Sequence, residues 1–214
     1  EEVCSHILEE KRGGPALREK RAQGRDYSPA DIIEKGPALL LGHLPTNRAL
    51  DRDALKYLPV ETAQGEDLSP DVRALIPEPT FDLSVLRDRA MLLLLATTEQ
   101  PRKRLVGIDV GDILPPGDEG GPTRIVICDA AGEPASTLCL ETGPELRYGP
   151  NRAVAAWVLA AGLETGPLFQ RFNPHGGIRG GRIRPQTLNL VTKRRAEESG
   201  FDPSDWSTKT LRER

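Results

Sequence analysis

Cysteine and histidine are scarce in this chain of 214 residues. Cys4, Cys128 and Cys139 share no metal-like spacing, and His6, His43 and His175 form no ligand pattern with Asp, Glu or Cys, which excludes a metal centre and a disulfide framework. Nothing resembles a signal peptide, so the thiols are expected reduced and the setting cytoplasmic. Long apolar runs are missing too. The longest, Ala90 to Ala96, is too short to span a bilayer and has Arg87 and Arg89 at its mouth, so no membrane association is expected. A phosphate loop is excluded because HGGIRGG lacks the Gly-Lys-Ser/Thr ending, and no cofactor or small-molecule substrate is expected. Net charge is only -3, which argues against a protein coated in positive charge. Proline and glycine, by contrast, are plentiful at 19 and 21, so breaks and long connections are expected.

The organising stretch is LRDRAMLLLLATTEQPRKRLVGIDVGDI, residues 86–113. A helix through its apolar run is hydrophobic on every face and must lie inside the fold. Ser84 is the expected cap, with Asp88 in the first turn facing the positive helix end. Upstream, residues 1–27 read as a peripheral segment. Ser28-Pro29 matches a helix start, Gly36-Pro37 a kink, and residues 45–80, interrupted by prolines, a loop-rich insertion with short helices. Downstream, TRIVIC and STLCLE predict an antiparallel hairpin that brings Cys128 near Cys139. PNRAVAAWVLAA predicts a helix closed by Gly162, with Trp157 in the core. Leu168-Phe169 reads as a short buried stretch and HGGIRGG as a flexible connection. A helix over about 185–199 and a terminal helix capped by Ser207 or Thr208 complete the series. The expected fold is mainly α with a small antiparallel β-hairpin.

Charge is segregated. Between Thr165 and Ala196 there is no Asp or Glu, yet there are seven cations: Arg171, Arg179, Arg182, Arg184, Lys193, Arg194 and Arg195. Such a surface suits a polyanion, and glycines among the arginines let backbone N–H groups approach phosphates. The ordinary alternative is a solvated face whose cations complement a helix C-terminus. With no aromatics interleaved, a duplex backbone suits the patch better than stacked single-stranded bases.

The order of these pieces resembles the phage-integrase, or tyrosine-recombinase, family over most of residues 28–214. Residues 86–113 are similar to its buried helix, turn and Asp-Ile pattern. The TRIVIC/STLCLE hairpin follows where its hairpin belongs, then AVAAWVLAAGLETGPLF resembles its next helix and Gly-Pro-Leu-Phe segment. LNLVTKRRAEESGFDPSDWSTKTLRER resembles its basic helix and [His/Lys]-x-x-Arg box. The resemblance implies a catalytic-domain-like fold, with residues 1–27 the remnant of a core-binding helical domain. It also implies double-stranded DNA as partner, self-association on DNA, and a role in DNA integration and site-specific recombination.

In that family a Tyr attacks the scissile phosphate while preorganised cations match the charge on the phosphoryl oxygens. The resemblance assigns Lys209 and Arg212 to the box, and Arg179, Arg182, Arg184, Lys193, Arg194 and Arg195 to DNA contact. The family's first Arg falls on Pro101, with Arg102 one residue away as its substitute, and Arg104 stands at the family's Glu. No hairpin Lys is present in residues 124–140, and Tyr27, Tyr57 and Tyr148 all precede the box. The expectation is therefore a recombinase-like chain without cleavage chemistry as written. Either it is a fragment incomplete at the C-terminus or it is a degenerate relative. The alternative from another class is a noncatalytic helical protein-interaction module.

Overall fold

The computed structural model describes residues 30–32, 35–36, 57–65, 68–115, 122–141 and 147–213. The expectations for residues 1–27, for a helix start at Ser28-Pro29 and for Pro37 lie outside the described residues. Residues 30–32 and 35–36 are helical, with Ile32 in the core. Gly36 sits so close to a neighbouring helix that an added Cβ would lie 3.0 Å from the Ala155 Cβ.

Strand β1 is Val60–Ala63, and helices α1, α2 and α3 are Pro70–Leu75, Leu83–Thr97 and Arg102–Gly107. Strands β2, β3 and β4 are Ile113–Leu114, Thr123–Cys128 and Pro134–Leu140. Helix α4, Pro150–Ala161, precedes β5, Gln170–Phe172, and β6, Ile178–Arg182; α5, Pro185–Glu198, and α6, Thr208–Glu213, follow.

Helix α2 is the spine, and every residue from Leu86 to Leu95 is buried, the charged Arg87, Asp88 and Arg89 included. Its cap differs from the sequence expectation. Asp82, not Ser84, occupies the N-cap, and its Oδ1 accepts both the Ser84 N–H and the Ser84 hydroxyl at 2.7 Å. The longer acceptor arm of Asp reaches the orphan amide two residues on. Asp88 faces a pair of arginines instead of the helix end.

Helix α4 packs across α2 and matches its expected limits, opening with Pro150 and closing at Gly162 in the left-handed conformation (φ 62, ψ 35). Trp157 is fully buried, donating its indole N–H to the Leu168 carbonyl at 2.8 Å, and Leu168 and Phe169 are likewise buried.

A mainly α fold with one hairpin is overturned by the sheet. It has four strands in the order β1-β4-β3-β2, mixed, with β1 parallel to β4 and the other pairs antiparallel. Ile125, Ile127, Leu138 and Leu140 join the helical leucines in one core. The β3–β4 hairpin was legible, because its β-branched residues favour a half-buried pleat. Strand β1 was not, since it is VETA inside a proline-broken stretch read as loop and short helices. Pro59 immediately precedes it, and proline before an edge strand removes no ladder bond; its carbonyl accepts the Thr137 N–H at 2.9 Å. Cys128 lies opposite Pro134 and Cys139 opposite Arg124, so the two are not paired neighbours, and both are free thiols.

HGGIRGG is also corrected: β5 and β6 form an antiparallel hairpin. Gly180 and Gly181 take φ of 77 and 75, values a side chain rarely tolerates, which is why this strand carries no hydrophobic alternation to read.

Candidate nucleic-acid interface

The polar turn after α2 is tied down from two directions. Strand β1 presents Glu61, whose Oε1 accepts the Glu99 N–H and whose Oε2 accepts the Gln100 side-chain amide at 2.7 Å. From the other end of the chain, α6 lies against α2 and α5. Ser207 starts it, its hydroxyl accepting the Thr210 N–H at 3.1 Å, while Leu211 and Trp206 are buried. That docking turns Arg212 inward. Its Nε donates to the Thr208 carbonyl at 3.2 Å, and Nη1 reaches the Glu99 and Gln100 carbonyls at 3.4 and 3.5 Å. Lys209 shares the helix but not this environment, being 78% exposed and 3.6 Å from Glu213.

Arg102 opens α3 directly after Pro101 and is half-buried; Lys103 and Arg104 beside it are exposed. Neither Arg102 nor Lys103 has a hydrogen bond or ion pair among the described residues, so α3 offers cations that the site assignment omitted at Lys103. The signal was present in the text as Arg-Lys-Arg, but the matched pattern drew attention to Pro101.

The six cations assigned to DNA contact divide. Arg179 and Arg184 are exposed with no partner among the described residues, and Lys193 is half-buried. Arg182 is a structural tie: Nη1 donates to the Val106 and Ile108 carbonyls at 2.6 and 3.1 Å, and Nη2 pairs with Asp109 at 2.7 Å, closing the end of α3. Arg194 bonds the buried Asp88, whose other oxygen takes Arg87 at 2.9 Å. Arg195 donates to the Leu75 carbonyl at 3.2 Å and pairs with Glu198. The direct DNA role expected of Arg182, Arg194 and Arg195 is therefore at odds with their placement, because guanidinium donors held by carbonyls and carboxylates are withdrawn from an incoming phosphate.

What remains available is one neighbourhood. Arg182 joins β6 to the end of α3, and α3 packs on α5, so Arg102 and Lys103 lie on elements adjoining those that carry Arg179, Arg184 and Lys193. Between α3 and the β3–β4 turn runs a cleft of about 630 Å³, lined by Pro101, Lys103 and Arg104 on the helix side and by Asp129 on the turn. Asp109 and Asp112 also line it. Asp129 binds its own turn, accepting the Ala131 and Glu133 amides at 2.8 and 3.0 Å. The three carboxylates offset Lys103, Arg104 and the neighbouring Arg182, so the cleft has no surplus positive charge with which to stabilise a phosphoryl transition state. The described tyrosines do not serve it either. Tyr57 is 89% exposed ahead of β1, and Tyr148 stands before α4 with Arg73, Arg89 and Arg147 at 5.5, 5.9 and 5.8 Å from its ring.

Among the described residues no group of His, Cys, Asp and Glu is placed to hold a metal ion, and no helix is long and apolar enough to cross a membrane. No family model matches the sequence, and a search of the curated proteins finds no match.

Proposed function

We propose that the chain is a duplex-DNA-binding protein of the tyrosine-recombinase type that engages the DNA backbone without cleaving it. The observation that carries this reading is Arg212. It stands in the Lys-x-x-Arg box and reaches the carbonyls of Glu99 and Gln100, with 112 residues between it and Gln100 in sequence. The box and the polar turn thus meet, as a phosphate-binding arrangement built from both requires. Arg102, Lys103, Arg179, Arg184 and Lys193 supply the approach for the sugar-phosphate backbone, and self-association follows on DNA. A cleft without surplus positive charge and the absence of a tyrosine beside Arg212 among the described residues support binding without strand cleavage. The free thiols Cys128 and Cys139 suit a reducing cytoplasm.

A mobility-shift titration of a random-sequence duplex at low salt tests the binding. Retardation at micromolar protein that weakens steeply with added salt is expected; unchanged mobility removes the reading. Incubation with a nicked suicide duplex followed by a denaturing gel tests the chemistry, and a covalent adduct would overturn the noncleaving assignment. The noncatalytic interaction module is the second reading. It draws on Arg182, Arg194 and Arg195 being committed inside the fold, and it predicts no salt-sensitive duplex binding at all.

A further inference from the structure

Two adjacent arginines of α2 are buried under different terms. Arg87 bonds Asp88 and stacks over Phe172, 4.3 Å from the ring centroid. Arg89, only 5% exposed, donates Nη1 to the Pro77 carbonyl and Nη2 to the Arg147 carbonyl, and no carboxylate bonds it. Burial lowers its pKa from the ordinary arginine value, with the charge of Glu78 as the largest opposing influence. Glu78, however, is engaged by Arg147. A buried cation without an ion pair is an expensive arrangement, and it favours any anion that can come beside it.

There is room for one. A cavity of about 210 Å³ lies between α2 and α4. Its apolar lining includes Leu86, Ala153 and Ala156, and its charged lining is Arg89, Arg147 and Arg152 against the single carboxylate of Glu78. Gly149, the N-cap of the 12-residue α4, also borders it, and no side chain caps that helix end. The positive end of α4 therefore adds to three guanidiniums. An apolar cavity of about 150 Å³ accepts benzene, so this one is large enough for a compact organic molecule.

We propose that this cavity binds a small carboxylic acid with a branched aliphatic tail, its carboxylate among Arg89, Arg147 and Arg152 and its tail against Leu86, Ala153 and Ala156. Each half of the lining sets part of the specificity. Inorganic phosphate satisfies the arginines but gains nothing from the apolar wall, and a neutral amide does the reverse. The inference is independent of the DNA reading, because none of these arginines belongs to the proposed duplex surface.

The test is calorimetric titration of the full chain with 4-methylpentanoate at constant ionic strength, beside 4-methylpentanamide and inorganic phosphate. Saturable one-site binding of the carboxylate is expected, with both comparison ligands at least about tenfold weaker, the equivalent of one charge-assisted hydrogen bond. Arg147→Gln and Arg152→Gln should each weaken it by about tenfold. Ala153→Leu, which fills the apolar part, should abolish it while circular dichroism and melting temperature are retained. Failure to saturate, equal binding of phosphate or amide, or undiminished binding by a folded Ala153→Leu protein would overturn the proposal.

Discussion

In hairpin β5–β6 and the N-cap of α5, Arg179 and Arg184 stand exposed with no partner among the described residues. Three turns further along α5, Arg194 reaches into the molecule to Asp88 and Arg195 to the Leu75 carbonyl. The two regions have similar composition and opposite surroundings. The hairpin lies on glycine-rich backbone with no carboxylate beside its cations. The end of α5 lies against α1 and α2, where a buried carboxylate and an orphan helix carbonyl are waiting. A run of basic residues thus becomes a binding surface or an internal brace according to what the neighbouring element presents.

The largest test of that contrast is Asp88→Ala, which leaves Arg87 buried without its partner and should cost about 3–5 kcal/mol in urea unfolding. A loss below about 1 kcal/mol would mean that the α2–α5 brace is no more than a surface pair, whose usual worth is in that range. The complementary change is Arg179→Gln with Arg184→Gln. Stability should stay within about 0.5 kcal/mol, while duplex affinity should fall about tenfold, with a shallower dependence on salt. If unfolding shifts and binding does not, the two regions have been assigned the wrong way round.

Asp82→Ala sharpens the comparison by loosening the helix that carries Asp88 without touching the brace. It should lower stability by about 1 kcal/mol, the usual value of an N-cap, and leave duplex affinity unchanged. The smallest effect is at Asp202, just beyond α5. The Ser204 amide hydrogen bond holds its carboxyl below the ordinary range, with Lys193 contributing. Because the folded value is depressed, its stabilisation is present above the unfolded pKa of about 3.9 and fades as pH falls through the lower folded value. Asp202→Asn should therefore flatten the acid limb of the stability curve below about pH 4, measured by thermal melts across pH.

Helices α4 and α5 and hairpin β3–β4 were legible in the sequence because each carries a local signal. Proline opens both helices, Gly162 closes the first, and TRIVIC has the branched residues a pleat prefers. Strand β1 gave no such signal, since four residues establish no period and its parallel partner β4 lies more than seventy residues away. Glu61 escaped notice for the same reason: its role depends on the turn at Glu99 and Gln100, which only the sheet brings to it. Cations could be counted from the sequence, but not sorted, because an arginine extends far enough to reach solvent or a buried carboxylate from the same helix position.

The apolar run of α2 determined by itself that residues 86–95 would be interior, since no face of such a helix can be left in water. The local chemistry of Pro, Gly and β-branched residues likewise placed α4, α5 and the β3–β4 hairpin. Only the tertiary structure decided that a mixed sheet shares the core and that Arg212 meets the turn before Pro101. It also decided that Arg87, Arg182, Arg194 and Arg195 are tied inside the fold while Arg179 and Arg184 are not. The reason is range: propensity and periodicity act over a few residues, whereas a charge is neutralised by whatever group the completed fold puts within hydrogen-bonding distance.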